Sequence, residues 1–338
     1  MSSLKLGVQL GYWGAQPPTN LIELAQEAES LGFDSLWTAE AWGSDAFTPL
    51  AYIAAHTKRI KLGTAVVQLS ARTPTATAMA TLTLDHLSQG RMILGLGVSG
   101  PQVVEGWYGQ PFSKPLARTR EYIDIIRQVL RREAPVTNDG PHYPLPYSGE
   151  GAWGLGKPLR PITHPLRADV PIFMGAEGPK NVALAAEIAD GWLPLYYSPF
   201  RQEVYADSLK NRKPDFQISQ FVICNIDDNL ERALTPVKAM LGFYIGGMGA
   251  KKHNFHMELM ARMGFEAEAK KIQDLFMDGK RAEAIAAVPD QFADEVSLCG
   301  SVDRIRERLD AWRETPVTTL LLASQDVETM RTIAEIVG

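Results

Sequence analysis

Eight short apolar segments, most of them followed by a stretch of helical periodicity, recur along the 338 residues: 4–10, 33–38, 60–67, 91–97, 170–174, 191–195, 216–224 and 317–322. Strands separated by helices cannot pair as hairpins; they need crossovers, and crossovers make a parallel sheet. Eight such units favour a closed α/β structure, the (β/α)8 TIM barrel, over an open doubly wound sheet. No glycine fingerprint follows the first strand, which argues further against a dinucleotide-binding sheet. The helices carry their own signals. Asn20 is placed to cap a first helix with Glu23 three residues on, and Leu21, Leu24, Ala25, Ala28 and Leu31 form its apolar stripe until Gly32. Further helices are expected over 47–57, 74–87 and 117–132, and another begins at Ser301 with Val302, Ile305, Leu309 and Trp312 on one face.

Residues 1–338 are expected to form one barrel domain with two interruptions. Segment 135–169 is rich in Pro and Gly, and Tyr143, Tyr147 and Trp153 argue for a packed irregular excursion rather than a linker. Segment 228–296 is mostly helical, with Gly246, Gly247 and Gly249 dividing two blocks, and an insertion so late in a barrel is expected over its mouth. Net charge is -5 with no basic run, which speaks against nucleic acid as a partner. No stretch approaches the apolar length of a membrane span, and the N-terminus reads as a strand rather than a signal peptide. Cys224 and Cys299 lie far apart, outside any metal-ligand spacing, so a reducing cytoplasm is the expected compartment.

Chemistry in a barrel sits at the carboxyl ends of the strands. There the sequence reads Leu10-Gly-Tyr-Trp13, Thr38-Ala-Glu-Ala-Trp42, Thr64-Ala-Val-Val-Gln68, Gly97-Val-Ser-Gly100 and Gly175-Ala-Glu-Gly178, rich in glycine and aromatics and poor in charge. A flat, mostly apolar ring system is the simplest occupant, and no metal is expected because no His/Cys/carboxylate cluster has ligand spacing. The run from Val170 to Asn181 adds an anion site: a strand enters Gly175 and Gly178, Pro179 suits the first helical position, and Lys180 adds charge. An ordinary tight strand-to-helix turn uses the same residues, and the run alone leaves both readings open.

Collectively Leu36-Trp-Thr-Ala-Glu-Ala-Trp42, Lys61-Leu-Gly-Thr-Ala-Val66, Gly90-Arg-Met-Ile-Leu-Gly-Leu-Gly97, Ser99-Gly-Pro-Gln-Val-Val-Glu-Gly-Trp-Tyr-Gly109 and Gly175-Ala-Glu-Gly-Pro-Lys180 resemble the luciferase-like flavin barrels, in the branch that uses the deazaflavin coenzyme F420. The resemblance implies a bulge after the third strand, often with a non-proline cis peptide, at Ala65–Val66 behind the ring. It implies cofactor contacts from Glu40, Thr64, Ala65 and Val66, from Gly97, Val98 and Ser99, and from Gly175, Ala176, Glu177, Gly178, Pro179, Lys180 and Asn181. Its sugar-phosphate dehydrogenases carry a catalytic histidine after the acid; here Ala41 follows Glu40, which speaks against that substrate. Relatives commonly dimerise through the early helices, and Thr75-Ala-Thr-Ala-Met-Ala-Thr81 suits close helix approach, so a homodimer is expected.

The implied activity is hydride transfer between the deazaflavin and a small organic substrate. Glu40, Trp42 and Trp13 are the candidate catalytic group, with Trp13 and Trp42 walling the substrate. Glu40 either exchanges a proton or only accepts hydrogen bonds; Tyr12, Ser99 and water are the other proton sources. Arg72 and Arg201 are candidates to grip the coenzyme's anionic tail. Lys251, Lys252, Lys270 and Lys271 suit a solvated face, His56 and His86 a structural role, and Met257, Met260 and Met263 packing. His253 and His256 share a helical face without a third ligand, which suits lid packing better than a metal. Two rival functions use the same barrel: an FMN-dependent monooxygenase, and a non-catalytic flavin-type binding protein.

Overall fold

A computed structural model describes residues 4–249, 254–323 and 326–338. Its strands are β1 Lys5–Gly11, β2 Ser35–Thr38, β3 Lys61–Thr64, β4 Val67–Gln68, β5 Met92–Gly97, β6 Ile172–Gly175, β7 Gly191–Leu193, β8 Gln217–Ile226, β9 Leu298–Gly300 and β10 Thr319–Ala323. They pair in parallel in the order β10-β1-β2-β3-β5-β6-β7-β8, and β10 pairs back to β8, closing the (β/α)8 barrel expected from the alternation. Strand β4 continues the β3 arm alongside β5, and β9 pairs with the far end of β8. Around the barrel run α1 Leu21–Ser30, α2 Phe47–Ala54, α3 Pro74–Leu87, α4 Pro101–Gly106, α5 Pro115–Arg131, α6 Pro179–Ile188 and α7 Glu203–Leu209. The late insertion holds α8 Leu230–Gly247, α9 Phe255–Met260, a π turn over Ala261–Phe265, α10 Glu266–Met277, α11 Arg281–Ala286 and α12 Asp290–Glu295; α13 Val302–Arg313 and α14 Val327–Val337 complete the chain.

Side-chain alternation along the strands splits the apolar interior in two. Outward residues such as Leu36, Leu62, Leu94, Ile172 and Leu320 join the helices in the larger core. Inward residues Trp37, Ile93, Phe173, Leu193 and Leu321 form a separate plug inside the barrel, with Ala65 and Val66, both partly buried, packed against it. Trp37 and Phe173 dominate the plug, their ring centroids 5.7 Å apart. Gly63 makes room for them: a Cβ there would fall 2.2 Å from the Trp37 ring.

Several local expectations change. The single strand over 60–67 breaks at a cis Ala65–Val66 bond into β3 and β4. Asn20 makes no side-chain cap to α1; at φ -110°, ψ 21° it lies outside the extended geometry that aims a cap. Thr73 and Ser301, both extended, do cap, accepting from the Ala76 and Arg304 N–H groups. The fifth helix starts at Pro115, not Ala117, because proline is pre-set for the first helical position. Gly246 and Gly247 end α8, and the next helix begins at Phe255, so these glycines do stand between two helical blocks; a Cβ on Gly246 would lie 2.5 Å from Phe276 of α10. In 135–169 only isolated bridges form, Val136 to Leu159 and Asn138 to Leu145. Tyr143 packs there against Tyr122, 5.4 Å between rings, and Arg167 pairs with buried Asp85; Tyr147 and Trp153 stay exposed, against the packing expected of them. No helix among the described residues is long and apolar enough to cross a membrane.

Candidate functional site

The plug ends upward in the Ala65–Val66 bulge. Val66 seats its methyl groups over two strand-end glycines: a Cβ on Gly97 would lie 2.4 Å from Val66 Cγ2, and one on Gly175 3.1 Å from Cγ1. Backbone bonds pin the bulge. Ala65 N–H donates to the Thr38 carbonyl (2.7 Å), Glu40 N–H to the Val66 carbonyl (3.2 Å), and Gln9 Nε2 to the Ala65 carbonyl (3.4 Å). Strands β1, β2, β3, β5 and β6 thus meet around one apolar floor. Thr64 is not part of its surface. It is fully buried, and its hydroxyl donates to the Gly95 carbonyl and accepts from the Gly95 N–H, both at 2.8 Å. Its role is to hold β3 and β5 in register below the bulge.

Glu40 borders the floor with its side chain 3% exposed. Arg72 Nη1 lies 2.7 Å from Glu40 Oε2, and the Gln68 N–H donates to Oε1 at 3.3 Å. Gln68 Nε2 donates to the Glu40 carbonyl (3.0 Å), and the Arg72 guanidinium stacks over Phe47, 5.3 Å from its centroid. Arg72 is therefore committed to Glu40. Arg201 is committed likewise: its Nε lies 2.6 Å from Glu295 Oε2, and Nη1 donates to the Met263 carbonyl (2.7 Å). Tyr108, part of the Ser99–Gly109 run but not among the expected site residues, stands near the Glu40–Arg72 pair; burial raises its phenol, with the Glu40 charge adding to the shift and Arg72 opposing it. Tyr12, Trp13 and Trp42 are exposed around the rim, and the Trp13 N–H donates to Ser44 Oγ (3.0 Å), tying the β1 loop to the β2 loop that carries Trp42.

On the opposite side lie Val98 and Ser99, partly exposed, with Ser99 at φ 60° turning the chain from β5 into α4. Then comes the β6–α6 junction. Ala176 is buried, its carbonyl accepting from Trp192 Nε1 (2.8 Å), while Pro179 and Lys180 are exposed. Gly178 is the N-cap of α6 and has no side chain to satisfy the helix's first N–H groups. The Asn181 N–H closes on the Gly178 carbonyl (2.9 Å), and Asn181 Oδ1 is buried without a partner.

The insertion supplies a roof. Arg262 Nη2 donates to the Glu177 carbonyl (3.0 Å), and His256 Nδ1 lies 2.8 Å from Glu177 Oε2. Tyr196 and Tyr244 flank the His256 ring at 5.9 and 5.1 Å. Burial raises the Tyr244 phenol, reinforced by Tyr12 and by the Glu177 charge, so β1, β6 and α8 converge here. His256 therefore faces the barrel mouth, while Lys251, Lys252 and His253 lie outside the described residues. Met260 and Met263 are buried, as packing residues should be, and Met257 is partly so; Lys270 pairs with Asp274 on an exposed face. His86 Nε2 bonds the His164 carbonyl at 2.9 Å, and His56 meets Tyr52 edge-on, 5.0 Å between rings, both away from the mouth.

The arrangement offers an apolar floor for a flat ring, a helix N-terminus for an anion, and an aromatic rim. Comparison with known proteins adds the lineage. A sequence model of the family described as luciferase-like monooxygenase matches residues 3–319. A protein of Mycobacterium tuberculosis (strain ATCC 25618 / H37Rv), whose name provisionally makes it a coenzyme F420-dependent oxidoreductase, is 54% identical over 99% of both chains. The 5,10-methylenetetrahydromethanopterin reductase of Methanolobus tindarius is 30% identical over 92% of this chain and 91% of its own length. Among solved structures, the coenzyme F420-dependent tetrahydromethanopterin reductase from Methanopyrus kandleri superposes with a TM-score of 0.81 at 23% identity, covering 99% of this chain and 98% of that one. At that identity the likeness speaks for the fold.

Proposed function

This chain belongs to the luciferase-like monooxygenase family, and from that premise we propose that it is an oxidoreductase dependent on coenzyme F420. The observation that carries the reading is the Val66 bulge seated over Gly97 and Gly175, which offers a flat apolar bed beside an uncapped helix start. The residues fit such a cofactor: Ala65 and Val66 would back the ring, Gly178 and Lys180 would meet the phosphate, and the unpaired Asn181 Oδ1 is an acceptor for a hydroxyl. The 54% identical relative carries F420 in its name, which supports the deazaflavin over FMN.

When bound, a deazaflavin supplies a two-electron hydride to or from an organic substrate. The protein's share is to stack the reactants in register and keep water out. Val66, fixed by the glycines below it and the Glu40 N–H beside it, sets the height and tilt of the bed. Trp13, Trp42 and Tyr12 form an aromatic rim suited to a bulky or apolar substrate. Glu40 is an anchoring acceptor in this scheme, because Arg72 and the Gln68 N–H already occupy its oxygens. Protons required at the substrate come from Tyr12, Ser99 or water.

Anaerobic titration of the purified chain with F420 and FMN in parallel, followed by fluorescence, tests the proposal. Tight F420 binding with negligible FMN binding is expected. Preference for FMN would move the chain to the oxygen-using flavin enzymes, and binding of neither would remove the catalytic assignment.

A further inference from the structure

Glu177 stands one residue before the N-cap of α6, where the helix dipole favours an incoming anion and a carboxylate opposes it. The carboxylate is not alone there. His256, reaching over from α9, brings Nδ1 to 2.8 Å from Glu177 Oε2, and each side chain is only 15% exposed. The approach is close but off-line, so neither atom makes a well-formed hydrogen bond, and a buried pair of this kind needs its charge accounted for.

The tyrosines facing the pair do not supply that charge. Tyr196 and Tyr244 present ring edges to the imidazole, and both phenols are raised, first by burial and further by the negative charge on Glu177. Tyr205, behind them, is raised in the same way. Tyr12 acts on Tyr244, while exposed Arg262, whose hydrogen bond goes to the Glu177 carbonyl, and Lys180 bring positive charge to the solvent side of the loop.

We propose that His256 is a positioning residue which, when protonated, cancels the Glu177 charge so that the β6–α6 loop can accept the cofactor's phosphate. The inference rests on the cofactor reading above. With an imidazolium in place the pair carries no net charge and the loop receives an anion; a ring without that charge leaves the Glu177 carboxylate facing the phosphate.

The test is fluorescence titration of F420 into the full chain and its variants in one mildly acidic buffer, about pH 6. H256Q is expected to bind about tenfold more weakly than wild type, the scale of one charge near an anion in a partly screened site. E177Q should bind at least as tightly as wild type, and H256Q/E177Q should recover to within about threefold of wild type, since no net charge is left on the pair to oppose the anion. Wild-type affinity in H256Q overturns the inference. So does a double variant as weak as H256Q, which would mean that His256 acts through packing alone. Failure of the wild type itself to bind F420 would overturn the cofactor reading and this inference with it, a result distinct from binding that H256Q leaves unchanged.

Discussion

Replacing Arg72 with methionine leaves a carboxylate inside the protein with no counter-charge. The side chain of Glu40 is 3% exposed and that of Arg72 25%, so the pair is screened on one side only. Breaking a fully buried pair by removing one partner costs about 3–5 kcal/mol. The remaining Gln68 N–H bond and the solvent beside Arg72 lower that here, and R72M is expected to destabilise by about 2–3 kcal/mol. E40Q keeps an acceptor oxygen for the Gln68 N–H and should lose only about 1 kcal/mol. The double variant R72M/E40Q has no charge to desolvate and should lie within about 1 kcal/mol of E40Q, a coupling of about 2 kcal/mol between the sites. Urea unfolding of the four proteins at neutral pH measures each value, provided the slopes agree. Additive single variants, or an R72M penalty below about 0.5 kcal/mol, would refute the argument that burial ties these side chains together. The same set reports on chemistry: turnover retained in E40Q would leave Glu40 as an anchor and not a proton carrier.

A Cβ on Gly95 would fall 1.8 Å from the Thr64 carbonyl and displace the hydroxyl bonds that hold β3 to β5, so G95A is predicted to lose at least about 3 kcal/mol in urea and to weaken F420 binding; a stable variant with normal binding would contradict this. Trp42→Ala removes a 48% exposed rim residue, and we expect a higher KM for the organic substrate with F420 affinity nearly unchanged; equal losses in both would place Trp42 against the cofactor instead. Burial raises the Glu295 carboxyl, but hydrogen bonds from Arg201, Gln291 and Ser198 outweigh it and hold the group below its ordinary 4.5. A depressed carboxyl contributes stability above its unfolded value that is lost as pH falls through the folded one, so stability should decline below about pH 4.5 and E295Q should flatten that decline; parallel curves for the two proteins would refute it. Tyr52 of α2 and Met79 of α3 are 57% and 64% exposed, and burial of this face in a homodimer predicts twice the chain mass by light scattering; a monomer at working concentration would refute it.

The barrel was legible because its signal is periodic: strands with runs such as Met92-Ile-Leu alternate with helices whose apolar stripes recur every three or four residues. The junction from Gly175 to Asn181 was legible for a related reason, since glycine and proline mark the places where backbone conformation is demanding. The break within 60–67 has no such marker, and only resemblance to a family pointed to Ala65–Val66. Arg72 and Arg201 stood out as free cations after strands, yet each is paired to a carboxylate far away in sequence. Nothing local announces such a partner. His256 shows the same gap: its contact to Glu177 joins segments about eighty residues apart, and a lone histidine on a helix carries no period that would reveal it.

Closure of the barrel carries a consequence for how the protein is made. Lys5 in β1 pairs with Thr319 in β10, and β10 alone bridges β1 to β8. During synthesis the first strand therefore waits, with one edge unpaired, while almost every other element emerges from the ribosome. Contacts so distant in sequence slow folding, because the entropy of joining the ends must be met before the pairing rewards it. Until then β1 and β8 present open parallel edges of the kind that invite pairing with other chains. Since the bulge is pinned partly by Gln9 from β1, the binding floor too is completed late, and the nascent chain passes through a long stage in which it is largely folded yet has no site to offer.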